Sequence, residues 1–472
     1  MTVSNGSTIT AADLNTEVQD GAHATIAAAS GRSGVFQVDV FATALTSSVD
    51  ATARTRYFTP QDDYEVLHLL VYKDGGAASR NPTVTLAPVG DAQYLPDGAL
   101  SVTLTAAGAG EESARTSYTT TTGTRAWLLK GVQYKLTVSS SSASDTGRVQ
   151  GTVLLRARHR PTRREPMVPL VFRDEATLSP DDLNTVLEHT SREIEASVSQ
   201  RWFHSMCILP FDSIASTDGS AETTIKIRPP FDVDVVSAEF YGCGTSSETF
   251  TVSCDATGAQ DLAITGAGAT TIASDTSGAA FSLAADTTYT WTLAGTGTWT
   301  LTRGWVVLHL RGDRHAGSPP THNITRFADG DSPDASVFKT QATASLASAA
   351  TTDAANAGKH TIWVGGWRNA QVVTPGEKLW LPAAGRVIDS ADFYATDGAA
   401  TSCNATLYDE AAGSLVALSV TCSTTATLDS DTGNAVGDTQ PSDPATAASD
   451  YYITAATGAA VDTAYLVVYF DG

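Results

Sequence analysis

Gly151-Thr-Val-Leu-Leu-Arg-Ala-Arg158, Gly304-Trp-Val-Val-Leu-His-Leu-Arg311 and Ala464-Tyr-Leu-Val-Val-Tyr-Phe-Asp471 are three versions of one apolar run. Each is too short for a buried helix and rich in β-branched and aromatic residues, so each reads as a buried strand. Working outward from these runs, the resemblance continues. Upstream, Leu129-Lys-Gly-Val-Gln-Tyr134-Lys-Leu-Thr-Val138 parallels Leu283-Ala-Ala-Asp-Thr-Thr-Tyr289-Thr-Trp-Thr-Leu293, a turn and then an alternating strand. Further back, Leu69-Leu-Val-Tyr72, Ala238-Glu-Phe-Tyr241 and Ala391-Asp-Phe-Tyr394 correspond. Each of these is followed by a Gly-rich turn and another strand, Thr83-Val-Thr-Leu86, Phe250-Thr-Val-Ser253 and Asn404-Ala-Thr-Leu407. A repeat of this size made of short strands and turns predicts two sheets packed face to face.

The expected fold class is therefore mainly β: three tandem β-sandwich, jelly-roll-like domains with short α-helical connectors. The expected domains are 1–160, 161–316 and 317–472. The boundaries fall at two charged, proline-bearing linkers, Arg156-Ala-Arg-His-Arg-Pro-Thr-Arg-Arg-Glu-Pro166 and Arg311-Gly-Asp-Arg-His-Ala-Gly-Ser-Pro-Pro320, neither of which suits a buried strand. Length agrees, since 472 residues suggest about three domains.

Two stretches depart from the β pattern. Ile9-Thr-Ala-Ala-Asp-Leu-Asn-Thr16 and Leu178-Ser-Pro-Asp-Asp-Leu-Asn-Thr185 each read as a helix start, with an apolar staple residue, a Thr or Ser cap and an acid at the third position. The second continues with Leu183, Leu187, Ile194 and Val198 at near-helical spacing. A helix reaching Gln200 would be about 33 Å long. Its stripe must be covered, either by the chain's own sandwich or by self-association in a symmetric bundle. Asp331-Ser-Pro-Asp-Ala-Ser-Val-Phe338 has a similar cap before the third unit.

These helix starts resemble the Leu-Thr-Ala-Ala-Asp-Leu-Asn starts of bacteriophage fibre and virion-appendage proteins, in which β domains follow an oligomerising helix. Thr10-Ala-Ala-Asp-Leu-Asn15 is the closer literal match, and the resemblance covers about a dozen residues twice. It implies a non-enzymatic virion structural protein: a head or tail appendage, fibre, collar or decoration subunit, acting in assembly and host attachment. It also implies a homo-oligomer, with a trimer favoured, that contacts other virion proteins. The long coiled coil, collagen repeat or β-helix of a slender fibre is missing, which favours a compact appendage.

Composition sets further bounds. A net charge of −22 argues against a general nucleic-acid surface. No run approaches the length of an apolar membrane span, and Met1–Gly6 has neither the basic nor the apolar stretch of a secretory signal. Synthesis in a cytoplasm is the resulting expectation; assembly into a particle satisfies it, as does staying there, and it is the resemblance that implies location in a virion. Five scattered cysteines contain no C-x-x-C pair, so zinc is not expected; they read as small buried residues, with Cys243 and Cys254 able to sit on neighbouring strands.

Catalytic signatures are missing: no G-x-S-x-G, H-E-x-x-H or Walker A. Asp62, Asp63 and Glu65 could imitate a carboxylate pair but read better as a solvated turn. No cofactor is expected; Asp429 and Asp431, and Asp329, Asp331 and Asp334, are weak calcium candidates that ordinary Asp-rich turns explain as well. Arg156, Arg158, Arg160, Arg163 and Arg164 form the sharpest charge feature. They would serve either as a docking connector for an acidic face of a neighbouring subunit or as a solvated linker. Trp291, Trp299, Trp305, Trp363, Trp367 and Trp380 cluster in the last two units. Most should be core, and any facing outward would suit a host surface glycan. Two other readings stand beside the virion protein: a bacterial surface glycan-binding module array, and a polysaccharide depolymerase with paired acids in a groove.

Overall fold

The computed structural model describes the strands and tighter turns within residues 35–157, 204–312 and 361–471, apart from several loops inside those spans. It is mainly β and antiparallel, and no helix occurs among the described residues. The expected helical connectors, with Leu183, Leu187, Ile194 and Val198, lie outside the described residues.

Three repeats share one strand order. In each, an opening strand (Val35–Ala42, His204–Pro210, Thr361–Arg368) pairs with the closing strand (Arg148–Ala157, Thr300–Gly312, Thr463–Asp471). The closing strand pairs in turn with a middle strand (Tyr64–Asp74, Val233–Gly244, Val387–Thr396), and that with an outer strand (Glu112–Ser117, Gly268–Gly278, Asp429–Ala435). The facing sheet begins with a four-residue edge strand: Thr55–Phe58, Thr224–Ile227 or Lys378–Leu381. It continues through Tyr134–Ser140, Tyr289–Gly295 or Tyr451–Ala455. Next come Pro82–Pro88, Thr249–Cys254 or Ser402–Asp409, and finally Leu100–Thr103, Leu262–Thr265 or Gly413–Thr421.

Sequence dictates which face each strand buries. Strands of the second sheet alternate, as in Pro82–Pro88 and Ser402–Asp409, with every other side chain in the core and the rest toward water. In repeat 3, Leu379, Leu407, Leu418 and Ile453 of this sheet meet Ile388, Phe393, Leu466 and Val468 of the first in one core. Gly151 marks the tightest approach in repeat 1: a Cβ there would meet methyls of Val84 and Val138 at 2.8 Å. Closing strands do not alternate. Val149 to Leu155, Leu301 and Arg303 to Leu310, and Thr463 to Phe470 are buried on both faces. Their inner faces lie on their own repeat's core, and their outer faces meet another repeat.

Candidate functional site

The outer face of each closing strand covers the edge strand of another repeat, and the same position makes the contact every time. Tyr72, Tyr241 and Tyr394 occupy matching places on the middle strands, and the closing-strand residues opposite them are Gln150, Trp305 and Tyr465. Trp305 donates its indole N–H to the Tyr57 carbonyl at 3.0 Å. Tyr465 accepts from the Lys226 backbone N–H at 2.7 Å. The Gln150 amide donates to the Trp380 carbonyl at 2.7 Å and accepts from the Trp380 N–H at 2.9 Å. Tyr57, Lys226 and Trp380 are each the third residue of their edge strand. Repeat 2 thus caps repeat 1, repeat 3 caps repeat 2, and repeat 1 caps repeat 3. The three opening strands also touch one another pairwise, so the cycle closes within one chain.

An edge strand presents unpaired backbone groups that template pairing with another chain. A polar or aromatic side chain on the neighbour's closing strand meets that need here. Stacked rings add contact area: Tyr72 on Trp380 with centroids 4.9 Å apart, and Tyr241 with Tyr57 and with Trp305 at 6.4 and 5.6 Å. The Arg56 guanidinium lies 5.3 Å from the Trp305 ring centre. Between repeats 2 and 3, Tyr465, Val467 and Tyr469 join the same apolar cluster as Ile225, Ile227 and Phe240.

Each interface also buries a carboxylate. Between repeats 1 and 3, Asp39 accepts from Gln37 at 2.7 Å, from Gln150 at 3.2 Å, from Thr152, and from the Trp363 indole at 2.6 Å. Gln37 in turn accepts from buried Arg386 at 2.6 Å, linking the acid to a cation on repeat 3. Burial pushes the Asp39 carboxyl above its usual range, and the four donors oppose that rise. Between repeats 1 and 2, Glu239 accepts from the Tyr241 hydroxyl at 2.7 Å and the Thr59 N–H at 3.3 Å, with His309 Nε2 3.4 Å away. Between repeats 2 and 3, Asp392 accepts from the Tyr469 hydroxyl at 3.0 Å and the Gly433 N–H at 2.7 Å, while Tyr469 accepts from the Arg228 N–H at 2.8 Å. Burial raises the Asp392 carboxyl. Tyr241 and Tyr469 are held well above the ordinary phenol range by burial and then by their acid partners, so both hydroxyls remain donors. A buried, bonded acid of this kind adds little net stability compared with an apolar replacement. Asp39 is buried within the joint between repeats 1 and 3.

The candidates read from sequence fall as follows. Arg156 lies on a closing strand and pairs with buried Glu65 at 2.7 Å, so its charge is met within its own repeat. Arg158, Arg160, Arg163 and Arg164 lie outside the described residues, as do Asp329, Asp331 and Asp334. A matching pair, Arg311 and Asp234 at 2.7 Å, ends repeat 2. Asp429 accepts from Ser423, and Asp431 from the Ser419 N–H and Asn434; among the described residues no cluster of His, Cys, Asp or Glu could hold a metal. Asp62 and Asp63 accept from the backbone N–H groups of Asp63 and Lys130, an ordinary turn, whereas Glu65, expected in the same solvated turn, is buried on strand Tyr64–Asp74. Trp291, Trp299, Trp305, Trp363 and Trp380 are buried, and the side chain of Trp367 is outside the description. Cys243 and Cys254 sit on different sheets of repeat 2. Sequence reading missed Gln150, Glu239, Asp392 and Asp39. Their signal was a polar residue next to the apolar and aromatic positions of a long strand, as in Ala238-Glu-Phe-Tyr241 and Ala391-Asp-Phe-Tyr394.

No family model matches the chain, and a search of curated proteins finds no match. Among solved structures, the PBSX exported protein XepA aligns at 14% identity over 59% of this chain and 87% of that one, with a TM-score of 0.15. The Sulfolobus turreted icosahedral virus structure aligns at 9% identity over 92% and 89%, with a TM-score of 0.15. The tandem CBM22 domains of Paenibacillus barcinonensis Xyn10C align at 9% identity over 59% and 91%, with a TM-score of 0.16. All three scores are too low to carry inference from those proteins to this one.

Proposed function

We propose that this chain is a non-enzymatic structural component of a bacteriophage-type virus particle: a head or tail appendage, fibre, collar or decoration subunit made of three jelly-roll-like β-sandwiches. The observation that carries this reading is the cyclic capping of edge strands by Gln150, Trp305 and Tyr465. The sheet order found three times is that of eight-stranded jelly rolls, an architecture that recurs in capsid and lectin domains. The buried acids serve as joints, which favours a building block over a catalyst. The helix-start motifs read in the sequence at Thr10 and Ser179 and the low charged fraction of 17% support a particle protein. The three repeats of one chain close the cycle of edge-strand contacts among themselves, which supports a single copy as the assembling unit beside the expected homotrimer.

Two measurements test the proposal. An antibody against the purified chain should label particles purified from the producing culture, and the chain should remain with them through density banding. Recovery only in the soluble extract would overturn the virion reading. Light scattering should return the single-chain mass of 49.1 kDa. A threefold mass would overturn the single-copy reading, and loss of that mass in a Leu187→Asp, Ile194→Asp variant would return the trimer to the helix stripe.

A further inference from the structure

Cys403 and Cys422 lie in the core of repeat 3, each 1% exposed, with their sulfurs 3.1 Å apart. They belong to the hairpin made by Ser402–Asp409 and Gly413–Thr421. Cys403 is opposite Val420, so Cys422 follows two residues later on the same inward face, just beyond the last ladder pair at Thr421. Both side chains enter the cluster that includes Leu407 and Leu418. The gap must shrink by roughly 1 Å to reach the S–S bond length.

We infer that Cys403 and Cys422 form a disulfide when the chain meets an oxidising medium, independently of the particle reading. One thiol loses its proton and attacks a disulfide oxidant such as oxidised glutathione, releasing one glutathione thiol and leaving a mixed disulfide. The second cysteine then displaces the other glutathione as a thiol. The two protein sulfurs together lose two electrons and two protons, and the oxidant gains both. Gly413–Thr421 is an edge strand of its sheet, so its local opening admits the oxidant. Geometry separates this pair from the other three cysteines. The Cys243 thiol donates to the Ala269 carbonyl at 3.0 Å, Cys254 is on the other sheet of repeat 2, and Cys207 is in that repeat's core. The bond would tie the edge strand to its neighbour after the chain leaves a reducing cytoplasm.

The test treats the full chain with oxidised glutathione, both folded and during refolding, then denatures and alkylates it for intact mass and peptide mapping. Three of the five cysteines should be alkylated, with the peptides carrying Cys403 and Cys422 joined until reduced. Cys403→Ser should leave all its remaining cysteines alkylated; if that variant does not fold, Cys422→Ala serves the same comparison. Full alkylation in both the folded and the refolded samples, or a bond mapped to any other pair, would overturn the inference.

Discussion

Replacing Gln150 with leucine tests the ring at its most polar joint. Leucine keeps nearly the same volume but removes both bonds to Trp380, at 2.7 and 2.9 Å, and one of the four donors to Asp39. Trp380 is only 8% exposed, so its N–H and carbonyl would find little water in exchange. An orphaned buried polar group costs about 1–3 kcal/mol. Two such groups, less about 1 kcal/mol for the apolar surface leucine buries, give about 1–5 kcal/mol. This cost falls on the contact between repeats 1 and 3, so it should appear as local opening before global unfolding. Amide hydrogen exchange at Trp380 should accelerate roughly 5- to 5,000-fold, with exchange in the repeat 2 core unchanged. A urea series should show the same loss. Unchanged exchange at Trp380 together with a stability change under about 0.5 kcal/mol would refute the closed ring.

Further outcomes follow from the same geometry. His68 is buried, and burial, then the Arg115 charge, lowers its pKa from 6.5 to about 4. The unfolded chain therefore takes up this proton first, and stability should fall as pH drops from 6.5 to about 4, by about 3 kcal/mol at most. Asp39 and Asp392, raised by burial, act in the opposite sense in acid, so the readout is the difference in denaturation midpoint between the parent chain and His68→Leu across that window. Gly151→Val would drive a side chain into Val84 and Val138 and should cost about 1–3 kcal/mol in thermal or urea unfolding. Tyr465→Phe should leave the Lys226 N–H without its acceptor and cost about 1–2 kcal/mol, with faster exchange of that amide. Arg156→Met should remove the cation that pairs with the buried Glu65 carboxylate and lower stability by about 1–3 kcal/mol at neutral pH. Unchanged stability with lost particle attachment would restore a docking role to Arg156.

Much of the fold was legible in the residues. The runs at Gly151, Gly304 and Ala464, with the tyrosines at 72, 241 and 394, mark a repeated β unit because strand period and turn chemistry are local properties. Mainly β structure follows from them directly. What covers a strand's second face is not local. Thr152, Trp305 and Tyr465 lie within apolar runs, and a continuous run states that both faces are buried without naming the partner. Only the tertiary structure shows that each outer face lies on another repeat's edge strand, that Asp39 and Trp363 meet across 324 residues of chain, and that Arg156 answers Glu65. It likewise sets Cys403 beside Cys422, where spacing alone had suggested Cys243 and Cys254. Pattern determines which way a side chain points, but which distant surface it meets depends on how the sheets stack and how the three repeats close on one another.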